Sequence, residues 1–168
     1  PLGKVVQILG SDAEAASDVE LVSCKHNLPR SFPNHVIEAA AGLPSQITKK
    51  VVKQRRDLRS LLTLSFVSSS SPTTIENAFT LEKTAAGQWQ LGIHTTDVAH
   101  YIEADTPLDR ESFKRGMCVY LGEKVLPLFP EAVTERLSLL PGSDRLALSV
   151  LLTLDAATGQ LVEFEIQD

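Results

Sequence analysis

With 168 residues, 43% of them hydrophobic, the chain is long enough for one domain with a real core and too apolar to be disordered. Its net charge of −5 excludes a generic nucleic-acid magnet, so any RNA contact has to come from a local patch or from parts outside this sequence. No apolar run reaches membrane-spanning length, no signal peptide opens the chain, and Cys24 and Cys118 stand too far apart for a zinc spacing; the expected location is intracellular, in the cytoplasm, with no membrane partner.

Residues 1–10 (PLGKVVQILG) are predicted as one strand with a glycine stop, followed by a small polar loop over 11–17. Residues 18–28 suit a short helix: Val19, Val22 and His26, or Leu21 and Cys24, fall at helical spacing behind Asp18. Pro29 and Pro33 break it. Ser31 is the expected cap of the next helix. Phe32, Val36, Ile37 and Ala40 are its expected apolar face, and Gly42 its stop.

A third segment begins at Pro44 and carries the strongest positive patch of an acidic chain. Six of the eleven residues from 49 to 59 are basic: Lys49, Lys50, Lys53, Arg55, Arg56 and Arg59, with Asp57 the only acid among them. Two readings stay open for it. One is contact with RNA phosphates; the other is a solvated helical face or a set of internal salt bridges.

Residues 61–67 (LLTLSFV) read as a strand apolar on both faces. Residues 77–83 and 88–95 form a predicted hairpin, with Gly87 where positive φ is needed. Trp89, Leu91 and Ile93 alternate with Gln88, Gln90 and Gly92, which predicts that the Trp89 face is the buried one. Residues 107–120 are predicted helical, capped by Thr106, with Phe113 and Met117 on one face. A short apolar run over 125–129, a short helix over 131–137, a Pro141-Gly142 turn and two antiparallel strands over 145–154 and 160–167 complete the chain. Helices first, then hairpins and connecting helices, give an α+β fold: a helical lead-in followed by a mostly antiparallel sheet with packed helices.

The segments LPRSFPNHVIEAA, RRDLR, GQWQLGIHTTDVAHYI, PLDRESFKRGMCVYLGEKVLPLFPE and LSLLPGSDRLALSV occur in that order. Their order and spacing resemble the catalytic domain, often called RNB, of the ribonuclease II and ribonuclease R family of 3′-to-5′ exoribonucleases. PLGKVVQILG resembles the last strand of the family's preceding cold-shock domain. The resemblance implies three parts: residues 1–10 as the end of a cold-shock or OB-type domain, 11–60 as a helical lead-in, and 61–168 as the N-terminal part of an RNB-type domain. Both ends of the chain fall in strand-like segments, so it is expected to be excised from something larger.

The resemblance also implies a chemistry. The family hydrolyses phosphodiesters with magnesium held by a carboxylate cluster, in a motif I-D-x-x-x-x-x-D-x-D-D-A just after R-R-D-L-R. Two hard divalent cations need dense anionic oxygen around them. Anchored on Ala78, the four carboxylate positions fall on Ser68, Thr74, Glu76 and Asn77, so the loop keeps only Glu76. Asp97, which matches an aspartate of the family's H-I-A-D segment, is a second candidate metal ligand; its other reading is a turn cap. His94 and His100 match positions read as structural hydrogen bonders. Tyr120 matches the family's base-stacking tyrosine, with a core tyrosine as the alternative, and Gly122 replaces the proline that follows it.

Three functions follow. The first is an RNA-binding domain that no longer cuts, with Tyr120, Arg55, Arg56 and Arg59 as RNA contacts, single-stranded RNA as partner and magnesium not bound. The second is a working magnesium-dependent exoribonuclease in which Glu76, Asp97 and other acids converge. The third is a structural or protein-interaction module.

Overall fold

The computed structural model describes residues 2–6, 8–9, 18–67, 74–122 and 124–168. Three short helices open the chain: α1 (Asp18–Lys25), α2 (Asn34–Ala41) and α3 (Lys49–Gln54). A two-residue strand β1 (Thr63–Leu64) precedes the hairpin β2 (Asn77–Lys83) and β3 (Trp89–Thr96). Then come α4 (Val98–Tyr101), α5 (Pro107–Arg115), a small hairpin of β4 (Val119–Leu121) and β5 (Lys124–Leu126), α6 (Glu131–Leu137), and the strands β6 (Ala147–Leu154) and β7 (Leu161–Gln167). The main sheet has five antiparallel strands in the order β1-β2-β3-β6-β7, so the fold is α+β as expected.

The apolar core lies between helices rather than under the sheet. Val36 and Ala40 of α2 meet Leu108 of α5, Val133 and Leu137 of α6, and Ile102 just after α4. Phe32, Val98, Tyr101 and Phe129 close around them. Ile37, the other residue expected on the α2 face, is exposed, because the face that finds partners is the Val36–Ala40 stripe. Pro33, not Ser31, stands at the N-cap of α2, with an extended backbone that no side chain caps. Thr106 does cap α5: its hydroxyl accepts from the Asp109 N–H.

The sheet reverses the expected burial. Gly92 and His94 of β3 are buried, with Ala78 and Thr80 of β2 and Ser149 and Leu151 of β6 beside them. Trp89, Leu91 and Ile93 lie on the other face, where cross-strand partners include Leu81, Val150, Leu152, Phe164 and Ile166. Leu81, Trp89, Phe164 and Ile166 of that apolar face are exposed. The buried face is polar, and hydrogen bonds between its side chains satisfy it, which the apolar alternation of β3 does not reveal.

Three further expectations are corrected. The described residues of 1–10 form no strand and are mostly exposed, since none of the described strands pairs with them. Residues 61–67 shrink to β1, an exposed pair at the sheet edge whose one strand neighbour among the described residues is β2. The helix predicted over 107–120 ends at Arg115, where Gly116 takes φ of +74° and turns the chain into β4. Phe113 and Met117 therefore share no buried face, and Phe113 is 89% exposed.

Candidate functional site

The basic run after α3 straps across the polar face of the sheet. Thr48 starts α3 by accepting from the Val51 N–H, and Arg55 ends it with an extended backbone. From there each arginine reaches an acid. Arg55 Nη2 lies 2.6 Å from Asp97 Oδ2, with both side chains largely buried (15% and 12% exposed). Arg56 Nη1 lies 2.8 Å from Glu165 Oε2 on β7. Arg59 is bound by Asp57 at 2.6 Å and Asp144 at 2.8 Å. The Arg59 guanidinium holds the Asp57 carboxyl down to about 2, and Asp57 in turn raises Arg59 further. Of the two readings of the basic run, the internal salt bridge describes the arginines. Among the described residues, the lysines of α3 have no such partner.

Beneath the strap lies an open cavity of about 560 Å³. Its wall includes Arg55, Arg59 and Arg145, the apolar Leu139 and Leu146, and His94 from the sheet. His94 is central to the buried polar face. Its Nδ1 lies 2.9 Å from Ser149 Oγ and its Nε2 3.0 Å from Thr80 Oγ1. Burial pulls the imidazole below its ordinary value, so one ring nitrogen donates, the other accepts, and the two hydroxyls adapt. Gly92 makes this possible: a Cβ there would stand 2.2 Å from Thr80 Oγ1 and 2.6 Å from His94 Nε2. Of the two histidines read as structural hydrogen bonders, only His94 bonds through its ring among the described residues. His100 is exposed, packs edge-on against Tyr101 at 5.0 Å, and its backbone N–H is capped by Asp97.

The family's carboxylate positions sit at the start of β2. Ser68 lies outside the described residues. Ile75 N–H donates to Ser138 Oγ at 2.8 Å, and Leu139 N–H donates to the Ile75 carbonyl at 2.7 Å. Thr96 N–H donates to the Glu76 carbonyl, and Asn77 pairs with Thr95. The backbone from Ile75 to Asn77 is thus clamped between β3 and the segment after α6. Ser138, fully buried, was not singled out by sequence; its partner is 63 residues away. The Glu76 carboxylate is exposed. Asp97 is engaged twice, by Arg55 and as the α4 cap, which is the turn-cap reading of this residue. Among the described residues no group of three or more His, Cys, Asp or Glu is placed to hold a metal ion. One free carboxylate, one amide and one hydroxyl do not make the donor set of a magnesium pair.

Tyr120 sits on β4 with its side chain 65% exposed, so it is not a core tyrosine. Gly122 takes φ of +61° in the β4–β5 turn, a conformation closed to proline, so this hairpin turns differently from one with proline at that position. Arg115, also unremarked by sequence, anchors the base of this region. It pairs with Glu111 at 2.9 Å, stacks on Phe32 at 3.6 Å, and donates to the carbonyls of Pro29, Ser31 and Pro127. No described helix is long and apolar enough to cross a membrane.

Comparison with known proteins places this geometry in context. The model of the RNB domain family matches residues 55–168. The chain is 47% identical over 169 residues to the acetazolamide conferring resistance protein zam of Synechocystis, covering 98% of this chain and 21% of that protein. It is 35% identical over 169 residues to ribonuclease R of Thermotoga maritima, covering 99% and 24%. The chain therefore spans about a fifth to a quarter of the length of these relatives. Among solved structures, Mycoplasma genitalium RNase R in complex with double-stranded RNA superposes with a TM-score of 0.82 at 22% identity, over 89% of this chain and 26% of that one, which shows the fold. Yeast Ssd1, described as a pseudonuclease, matches with a TM-score of 0.64 at 28% identity, over 73% of this chain and 15% of that one.

Proposed function

The chain belongs to the RNB-domain family, related to 3′-to-5′ exoribonucleases, and from that premise we propose that it binds single-stranded RNA without cutting it efficiently. The observation that carries this is the fate of the acids. Glu76 is the only carboxylate among the family's four positions, and Asp97, the other candidate ligand, is held by Arg55 at 2.6 Å. Recruiting Asp97 to a cation would strand the Arg55 guanidinium in a largely buried site, and breaking a buried pair costs roughly 3–5 kcal/mol. Magnesium is therefore not retained. The solved pseudonuclease relative supports this reading by analogy only.

What this chain's residues do is bind. Tyr120, presented on a hairpin arm, offers an aromatic face on which any base stacks, a contact worth roughly 1–3 kcal/mol. Arg56 and Arg59 are exposed enough for a phosphate to compete with their carboxylates, whereas Arg55 acts through structure. Residues 1–10 are assigned to the end of a cold-shock domain and 11–60 to a helical lead-in, and the protein works in the cytoplasm. A protein-interaction role is the second reading, favoured by the exposed apolar sheet face around Leu81, Trp89, Phe164 and Ile166.

The test is incubation of the full chain with 5′-labelled single-stranded RNA and magnesium. Binding with the RNA left at full length is expected. Progressive release of mononucleotides would establish the working exoribonuclease instead, and absence of RNA affinity at low salt would leave the interaction module.

A further inference from the structure

We propose that the lysine face of α3, formed by Lys49, Lys50 and Lys53, is the surface that grips the phosphodiester backbone of single-stranded RNA. The proposal rests on the RNA-binding reading above and adds to it a second phosphate-binding surface. At about 100° per residue, Lys49, Lys53 and Lys50 fall at roughly 0°, 40° and 100° around the helix, so one arc holds all three. Val51, at about 200°, falls on the opposite side and is half-buried, whereas Val52, at about 300°, flanks Lys49, is partly exposed and lines the cavity under the strap.

Four observations separate this face from an ordinary solvated helix. All three lysines are exposed, and among the described residues none takes part in an ion pair, while every arginine of the same basic run is bound to an acid. The helix itself contains no acid, so nothing on it neutralises the three charges. The helix is capped at its start by Thr48 and followed at its end by the buried Arg55–Asp97 pair. Finally, the helix runs directly into the ion pair that joins the strap to the sheet at Asp97. Asp97 follows directly on β3, whose Thr96 N–H donates to the Glu76 carbonyl. At about 1.5 Å per residue, Lys53 and Lys49 stand only about 3 Å and 9 Å up the axis from Arg55.

On a chain of net charge −5, three exposed lysines on one face, without an ion-pair partner among the described residues, form a local positive patch that attracts a polyanion such as an RNA backbone. Compact ammonium groups on flexible stems act as point charges on phosphates and carry no sequence preference. The site therefore binds RNA of any sequence, and its strength is set by salt.

The experiment is fluorescence anisotropy of a labelled oligouridylate with the full chain, across a salt series, for wild type, the triple Lys→Gln variant and the triple Lys→Arg variant. Each phosphate contact with a single strand contributes a slope of about 0.7 in log K against log salt, so loss of three lowers the slope by about 2. Between about 50 and 200 mM salt, wild type should then lose about 20-fold more affinity than the Gln variant loses, while the Arg variant keeps the wild-type slope. Circular dichroism of the Gln variant should be unchanged, since no buried contact is removed. Wild-type binding with the same slope in the Gln variant would overturn the lysine face and leave RNA binding standing. No binding by wild type at low salt would overturn the RNA-binding reading and this proposal together.

Discussion

Replacing Arg55 with Met tests the strap at its most buried point. The change leaves the Asp97 carboxylate, 12% exposed, without its cation. Removing one partner of a buried pair costs roughly 3–5 kcal/mol. Part of this returns, because Arg55 Nη1 is buried with no hydrogen-bond partner among the described residues, and removing such a group recovers about 1 kcal/mol. The net expectation is a loss of about 2–4 kcal/mol. In urea unfolding with a slope near about 2 kcal/mol per molar, the midpoint should fall by about 1–2 M without a change in slope. The double variant Arg55→Met with Asp97→Asn removes both charges and keeps an oxygen to cap α4. It should recover to within about 1 kcal/mol of wild type, because a neutral replacement avoids the stranded charge. A single variant as stable as wild type, or a double variant that loses the sum of the two singles, would refute the claim that Arg55 and Asp97 neutralise each other.

The remaining predictions concern the sheet and the strap. Gly92→Ala should destabilise the chain by about 1–3 kcal/mol, read as a lower thermal midpoint, because its Cβ meets Thr80 and His94. His94 is held below its ordinary value of 6.5 in the folded state, so stability is full above that value and declines as pH falls below it, where the unfolded chain takes up the proton first. An NMR titration of His94 with a midpoint above 6.5 would contradict this. Asp57 should titrate near pH 2 and move back toward 3.8 in Arg59→Gln; its contribution to stability is present above 3.8 and lost as pH falls through about 2.

The sequence discloses local structure better than burial. The hairpin of β2 and β3, the turn at Gly87 and the helix from Glu131 to Leu137 follow from alternation, turn chemistry and proline punctuation, all contained within a few residues. The buried face of β3 does not. Its Gly92 and His94 look like the solvent side until Thr80, 14 residues from His94, and Ser149, 55 residues from it, arrive to satisfy the imidazole. The arginines show the same limit. A run of basic residues reads as a phosphate site because Asp97, Asp144 and Glu165, which claim them, lie 42, 85 and 109 residues further along. Ser138 and Arg115 gave no signal because their roles are to bind backbone groups of distant segments. Loss of acids at Thr74 and Asn77 was legible from residue identity alone, since no fold restores a missing carboxylate.

The surroundings of Glu76 lack the anionic oxygen to retain paired divalent cations. Anomalous diffraction from crystals of the full chain soaked in manganese tests it most directly. The account predicts no pair of manganese peaks beside Glu76 and an intact Arg55–Asp97 ion pair. Two manganese ions bridged by Glu76 and Asp97, with Arg55 displaced, would contradict it.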